Sequence, residues 1–347
     1  MSIAGAIVRS SLAVAESGRI PDFVTRVGIR TLLRGRLRSL VSEPPLDEAT
    51  LRIGPIAPAP REANEQHYEV PAEFFELVLG PWQKYSCCLW PDDAPDLTLA
   101  DAELAMLDIT CARADLSDGQ DILDLGCGWG ALTLFAAERY PGSRIFAVSH
   151  SASQRRHIEA RARRRGLDNV IVITGDISRL QLAREQFDRV VSVEMFEHMN
   201  NFSRLVDKIT DWMRPRARLF VHVMCHHARA YRFLRDGPGD WMAREFFTGG
   251  LMPSPTLVPK FRGELESEDS WFLPGTHYAR TSEAWLANLD RERGRVLSVL
   301  ADTYGPASSA LRLQRWRLFF LAVAETFGYR AGREWGVSQH RFRKPSR

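Results

Sequence analysis

The chain predicts a Rossmann-like α/β domain with a parallel sheet, preceded by a helical segment and covered by helical cap insertions. Three observations carry that expectation. Apolar periodicity alternates helix and strand from residue 100 to 224. A strand-to-helix turn, Ile122-Leu123-Asp124-Leu125-Gly126-Cys127-Gly128-Trp129-Gly130-Ala131-Leu132, has three glycines that let the backbone turn tightly and a ligand approach it. Finally, 347 residues with 45% hydrophobic and 26% charged side chains can bury a substantial core, as one large domain or a domain with an appendage.

Taken in order, residues 1–42 read as helical, with Phe23, Val24, Val27, Ile29, Leu32, Leu33, Leu37 and Leu40 as an apolar face between basic residues. Pro44, Pro45, Pro55, Pro58 and Pro60 predict a linker over 43–65, because proline continues neither helix nor central strand. A helix over 72–79 leads into the aromatic, polar stretch 82–90, whose lack of core periodicity suggests a lid or substrate wall. Then follow helix 99–112, strand 121–125, helix 131–139, strand 144–148, helix 153–165, strand 170–174, strand 187–193, helix 202–212 and strand 218–224. Beyond these the pattern turns irregular, with loops at Phe246-Phe247-Thr248-Gly249-Gly250, Pro253, Pro255 and Pro259. The expected organisation is a helical segment and linker to 65, a lid over 66–118, a nucleotide-binding core over 119–227, and a substrate-covering cap with the rest of the core over 228–347.

Net charge of +3 is too mild to argue for nucleic acid. Two arginine clusters stand out: Arg26, Arg30, Arg34, Arg36 and Arg38, and Arg155, Arg156, Arg161, Arg163, Arg164 and Arg165. They read as solvated helix faces, with peripheral contact to an anionic membrane as the sharper alternative. Five cysteines (Cys87, Cys88, Cys111, Cys127, Cys225) have neither disulfide-framework nor metal spacing, which fits a cytoplasmic setting. The apolar patch at 3–8 is interrupted by Arg9, Glu16 and Arg19, so neither a membrane span nor an export signal is expected. Composition leaves the oligomeric state open, with a homodimer as the assembly to test.

The glycine turn alone would also suit a dinucleotide, or bind nothing. Asp124 shifts the reading. A carboxylate at the strand end would repel a pyrophosphate, yet could orient backbone amides or attract the amino and sulfonium groups of S-adenosylmethionine (SAM). In an open parallel sheet ligands bind beyond the carboxyl ends of the strands. The residues there are Asp124, Gly126 and Gly128 after the first strand, Ser149, His150, Ser151 and Gln154 after the second, and Gly175, Asp176 and Ile177 after the third. Asp176 could accept from the adenine amino group with Ile177 against the ring, or simply cap a helix. Ser149 and Gln154 take the place of a ribose-binding acid.

After the fourth strand comes Ser192-Val193-Glu194-Met195-Phe196-Glu197-His198-Met199, a dense ionisable cluster in an apolar setting. If Glu194 enters a helix, Glu194 and His198 share one face with Glu197 a turn away. Two carboxylates and an imidazole can attract an ammonium and accept its proton; ordinary capping and ion pairing is the bland alternative. His222, in phase with Phe220 and Met224, points inward as a satisfied core histidine or a pocket residue. His226 and His227 are poorly spaced for a tetrahedral ion, and methyl transfer from a sulfonium needs no Lewis acid, so no metal is expected.

Tyr85-Ser86-Cys87-Cys88, the glycine turn, Ser151 with Gln154, the SVEMFEHM segment and Phe247-Thr248-Gly249-Gly250-Leu251-Met252-Pro253-Ser254 together resemble the cyclopropane-fatty-acid synthase superfamily of SAM-dependent methyltransferases, which implies the class I methyltransferase fold. Within it the chain is most similar to the coclaurine N-methyltransferase group. The likeness runs from about His67 to the C-terminus, through His277-Tyr278-Ala279-Arg280-Thr281-Ser282, Tyr304-Gly305, Arg317-Leu318-Phe319-Phe320 and Glu334-Trp335. In the lipid-modifying branch a bicarbonate ion serves as base, and its ligands fall here on Cys87, Glu197, His222, Met224 and Tyr278. Met224 stands where those synthases resemble an isoleucine, and Glu194 where they carry a glycine. An added charge beside an acyl chain would cost several kcal/mol unless paired. In the N-methyltransferase group Glu194, Glu197 and His198 match the catalytic trio; that likeness gives Glu197 and His198 the proton and Glu194 the ammonium.

The resemblance places Tyr85 and Ser86 over the methionine part of SAM and Cys127 with the glycines of the turn. Trp82, Trp90, Phe246, Phe247 and Tyr278 could cage a cationic or aromatic amine, or be ordinary packing. The implied activity is methyl transfer to the nitrogen of a small hydrophobic or aromatic amine. The alternatives are methylene or methyl transfer to an unsaturated acyl chain of a phospholipid, with bicarbonate, and a SAM-binding sensor without catalysis.

Overall fold

A computed structural model describes residues 3–57, 70–91, 96–235, 237 and 240–346, with side chains from residue 10 onward. Pro58, Pro60, His67, the expected boundary at 65 and 66, and the side chains of the apolar patch at 3–8 lie outside the described residues.

Seven strands form one sheet in the order β3-β2-β1-β4-β5-β9-β8: β1 (Asp121–Leu125), β2 (Arg144–Ser149), β3 (Val170–Thr174), β4 (Phe187–Val193), β5 (Met213–His226), β8 (Glu266–Pro274) and β9 (Trp335–Arg343). β1 to β5 pair in parallel, while β9 runs antiparallel to β5 and β8 antiparallel to β9. The order reverses beside β1, so the crevice opens at its carboxyl end. A two-stranded ladder of β6 (Tyr231–Arg232) and β7 (Leu251–Met252) lies apart from the sheet.

Alternation along the strands sorts two cores. Ile122, Ile145, Val191 and Phe220 face α4 (Leu99–Arg113) and α5 (Ala131–Arg139). Leu123, Phe146, Val190 and Leu219 face α7 (Phe202–Trp212) through Phe202, Leu205, Val206 and Ile209. The helix α6 (Ala152–Arg165) closes over β2 and β3 through Ile158 and Ala162. It starts at Ser151, whose hydroxyl accepts from Gln154 N, and stops at Gly166 in a left-handed conformation.

A third core forms the cap. Phe74 and Phe75 of α3 (Ala72–Val78), Trp285 and Leu289 of α10 (Thr276–Arg291), Leu300 of α11 (Arg293–Tyr304) and Trp316, Phe319 and Phe320 of α12 (Pro306–Gly328) pack with Trp129, Cys87 and Tyr278. Short α8 (Trp241–Glu245) and α9 (Leu257–Lys260) complete it.

The N-terminal 42 residues form two helices, α1 (Ile3–Glu16) and α2 (Asp22–Ser42), broken before Pro21. The expected single apolar face is two stripes. Ile29, Leu33 and Leu37, four apart, pack on the cap with buried Leu40; Phe23, Val24, Val27 and Leu32 remain exposed. Arg26 bridges Glu283 and Glu325, Arg30 reaches Glu325 and Arg36 reaches Glu43. Arg26 and Arg30 thus dock the helix on the cap instead of lining a purely solvated face. In the second cluster Arg161 is buried, donating to Gln83 Oε1 and Pro81 O.

The proline-rich stretch is also more ordered than a linker: Glu48–Arg52 is a 3₁₀ turn capped by Asp47, with Leu51, Ile56 and Ala57 buried against the sheet. No described helix is long and apolar enough to cross a membrane, and all five cysteines are unpaired and buried.

Candidate active site

The turn after β1 has the geometry its glycines require. Gly126, Gly128 and Gly130 have φ of +86°, +53° and +84°. A Cβ on Gly126 would come within 2.8 Å of the Met195 side chain, and one on Gly130 within 2.7 Å of Ile158. The amides of Gly126 and Cys127 both donate to Val148 O, tying the turn to β2. Asp124 is buried under it and accepts from the Thr133 hydroxyl at 2.6 Å, with its carboxyl pushed up to about 6 by burial.

A cleft with about 620 Å³ of space, its mouth included, opens beside this turn. Its walls include Asp124, Gly126, Cys127, Gly128, Trp129, Gln154, Tyr85, Ser86, Lys84 and Glu194. Gln154 is buried, its Oε1 taken by the Ser149 hydroxyl and its Nε2 without a partner; Trp129 Nε1 is a second buried, unpartnered donor. Unsatisfied buried donors are costly and invite acceptors from a ligand. A glycine-cradled strand end, a carboxylate and these donors suit a ligand with hydroxyls, a carboxylate and cationic groups, as SAM has.

Not every expected cofactor residue meets this cleft. Ser149 acts behind Gln154, and also accepts from Ser151 N. His150 is exposed at the start of α6. Asp176 and Ile177 follow β3, two strands from β1; Asp176 accepts from Ser178 N in a local turn, and Ile177 packs against the sheet core. No helix follows for Asp176 to cap.

The acid cluster forms, but not on a helix. Glu194 ends β4 with φ of +50° and donates its own N–H to His222 O; only Phe196–His198 makes a 3₁₀ turn. Its Oε1 accepts from Cys87 N at 2.9 Å and lies 3.3 Å from His222 Nε2, while Oε2 accepts from the Tyr278 hydroxyl at 2.7 Å. Burial opposes its charge, but His222, Lys84 and the Cys87 amide outweigh it and keep the carboxyl below the usual range. Burial and the Glu194 charge hold the Tyr278 hydroxyl and the Cys87 thiol far above theirs, so both stay protonated.

Glu197 is its opposite. Buried, and facing the Glu194 charge, it is pushed well above the carboxylate range; Oε1 accepts from Met224 N at 2.7 Å and Oε2 has no partner. His198 lies against the Phe247 ring, 4.7 Å between centroids, and burial pushes its imidazole down to about 4 against the pull of Glu194. The site therefore pairs one ionised carboxylate with one protonated carboxyl and a neutral imidazole.

Bicarbonate does not fit this arrangement. Of the five residues assigned to it, Cys87, His222 and Tyr278 close on the Glu194 carboxylate, and the Met224 amide is taken by Glu197 Oε1. The aromatic cage is also smaller than expected. Phe247 and Tyr278 stand at the acids, whereas Trp82 packs on Phe135, Trp90 bonds Thr281 and Phe246 stacks on Phe319.

Sequence reasoning missed Lys84, Gln83 and Gln339. Lys84 is the one cation among the described residues that line the cleft, buried with its side-chain nitrogen on Ser86 Oγ and Cys87 O. A lone lysine in an aromatic stretch was the available signal. Gln339 is distant in sequence and reaches His222 only through the β5–β9 pairing.

The sheet, its switch-point cleft and the acids at the tip of β4 define a class I SAM-dependent methyltransferase. Residues 58–331 match the mycolic acid cyclopropane synthetase family. The chain is 37% identical to (S)-coclaurine N-methyltransferase of Thalictrum flavum subsp. glaucum, over 98% of this chain and 96% of that one. It is 33% identical to (S)-coclaurine N-methyltransferase of Papaver somniferum, over 95% and 96%. A coclaurine N-methyltransferase solved with N-methylheliamine and S-adenosylhomocysteine superposes with a TM-score of 0.91, at 35% identity over 98% of this chain and 100% of that one. The chain belongs to the cyclopropane synthetase family and, within it, to the coclaurine N-methyltransferase group.

Proposed function

We propose that this enzyme transfers the methyl group of SAM to the nitrogen of a small hydrophobic or aromatic amine. One observation carries the reading. Glu194 occupies a left-handed backbone position that costs a non-glycine residue about 1–2 kcal/mol, and its carboxylate fills the space between Cys87, His222 and Tyr278. A buried anion held by two hydrogen bonds, with the His222 ring 3.3 Å away, suits a cationic acceptor and is unfavourable beside an alkene.

SAM, when bound, supplies an electrophilic methyl group on a positively charged sulfur. Glu194 draws the ammonium form of the acceptor toward the cleft. His198, uncharged near neutral pH, takes the proton that the nitrogen must lose before its lone pair can attack. A cation bound here offsets the repulsion between the two acids, which draws the Glu197 carboxyl back toward its ordinary range. Tyr85, packed on Phe75 and Trp285, and the cap core behind it keep bulk water from the cleft.

Labelled SAM offered with benzylic and isoquinoline amines, and separately with unsaturated phospholipid vesicles, tests the proposal. Nitrogen-bound label is expected. Carbon-bound label in lipid alone would refute the amine reading in favour of the lipid one.

A further inference from the structure

Behind Glu194 lies a line of buried and half-buried polar groups, of which the chemistry above uses only His222. It runs from Arg113 at the end of α4 through Gln339 on β9 to His222 on β5. Gln339, directly across the ladder from His222, is fully buried. Arg113 donates to Gln339 Oε1, its guanidinium otherwise lying over the Trp271 ring at 4.9 Å. The amide nitrogen of Gln339 lies 3.0 Å from His222 Nδ1, and His222 Nε2 lies 3.3 Å from Glu194 Oε1.

Donor capacity fixes every orientation along this line. A guanidinium only donates, so it takes the Gln339 oxygen and turns the NH₂ toward His222. An NH₂ also only donates, so Nδ1 must present its lone pair and the ring hydrogen must sit on Nε2, facing Glu194. We propose that Arg113 and Gln339 are positioning residues that lock His222 in its Nε2–H tautomer and thereby hold Glu194 as an oriented carboxylate. The locked ring has no lone pair left toward Glu194 and cannot accept a second proton at Nδ1 without displacing Gln339. Burial, Lys84 and Arg113 also disfavour its cation, against the pull of Glu194. The groups that share this environment are Glu194, Glu197, His198, Lys84, Cys87, Tyr278 and Arg113. The functional part of the proposal rests on Glu194 acting as the anion for an amine; the tautomer does not.

The test uses the full chain labelled with ¹⁵N-histidine, together with pH profiles of kcat/KM for an amine. In the unmodified protein His222 should show a protonated Nε2 and a bare Nδ1. Gln339→Leu should give mixed tautomers, about a ten-fold loss of kcat and an acid limb about one pH unit higher, because Glu194 loses a donor. Gln339→Glu should move that limb the opposite way, since its carboxylate stabilises a second ring proton. SAM KM should stay within about two-fold in both. Arg113→Met, at a half-buried helix end, should reproduce Gln339→Leu if the latter fails to fold, and Arg113→Lys should restore the original profile. A proton on Nδ1 in the unmodified protein, or limbs that shift the same way or not at all in Gln339→Leu and Gln339→Glu, would overturn the proposal. If no amine takes label while the His222 spectrum is as described, the acceptor assignment fails and the tautomer lock stands.

Discussion

Replacing Glu194 by glutamine removes a charge and almost nothing else. The amide oxygen can take the Oε1 position, accepting from Cys87 N–H and His222, while the NH₂ faces the Tyr278 oxygen, which rotates to accept. What disappears is the attraction for a cationic acceptor and for the donor's sulfonium. Two unit charges about 4 Å apart at an effective dielectric constant near 20 interact by about 4 kcal/mol, and a retained neutral hydrogen bond recovers about 1 kcal/mol. A net loss of about 3 kcal/mol predicts kcat/KM for the amine falling by roughly a hundred-fold. Initial-rate measurements at saturating SAM give that ratio, and calorimetric titration with S-adenosylhomocysteine, whose sulfur is neutral, serves as control. Its affinity should change by less than about three-fold. A drop in kcat/KM below about five-fold, or an equal loss of S-adenosylhomocysteine binding, would refute the electrostatic role.

Three further outcomes follow from the cleft. Lys84→Met should weaken S-adenosylhomocysteine and SAM alike, by about thirty-fold, because among the described lining residues Lys84 is the one cation available to the carboxylate that both ligands share; titration of each reads it. Asp124 is pushed up to about 6 in the folded chain against about 3.9 unfolded, so it favours the fold below about pH 4 and withdraws about 3 kcal/mol as pH rises through 6. Asp124→Asn should therefore reduce the fall in Tm between about pH 4 and 6, leaving the part due to Glu103, held near 6 by burial, and to Glu197, held well above the carboxylate range. Gly130→Ala forces a side chain into a left-handed position against Ile158 and should cost about 2–4 kcal/mol, several degrees in a thermal melt; a change under about 1 °C would contradict the geometry.

The core elements were legible because their periods are local. Strands 121–125, 170–174 and 187–193 and helices 131–139 and 202–212 fall where apolar alternation and capping residues place them. β5 is longer than its expected span of 218–224, since Met213 and His226 pair across neighbours that sequence does not reveal. β8, β9 and the long cap helices were not assigned individually from periodicity. β8 in particular is mostly exposed and polar on both faces, so neither pattern shows. On α2 the apolar residues were visible, but two stripes were read as one because the cap covers only half the circumference.

The linear order of residues determined the class of donor, through a glycine turn preceded by an acid, and named the ionisable side chains after β4. Tertiary structure alone decided their protonation and pairing. Glu194 stays charged because Cys87, Tyr278 and His222, from distant parts of the chain, converge on it, and Glu197, three residues away, stays protonated because it is buried and faces the Glu194 charge. Ionisation depends on solvent access and on neighbours within a few ångströms, and those neighbours are set by how strands and cap helices meet.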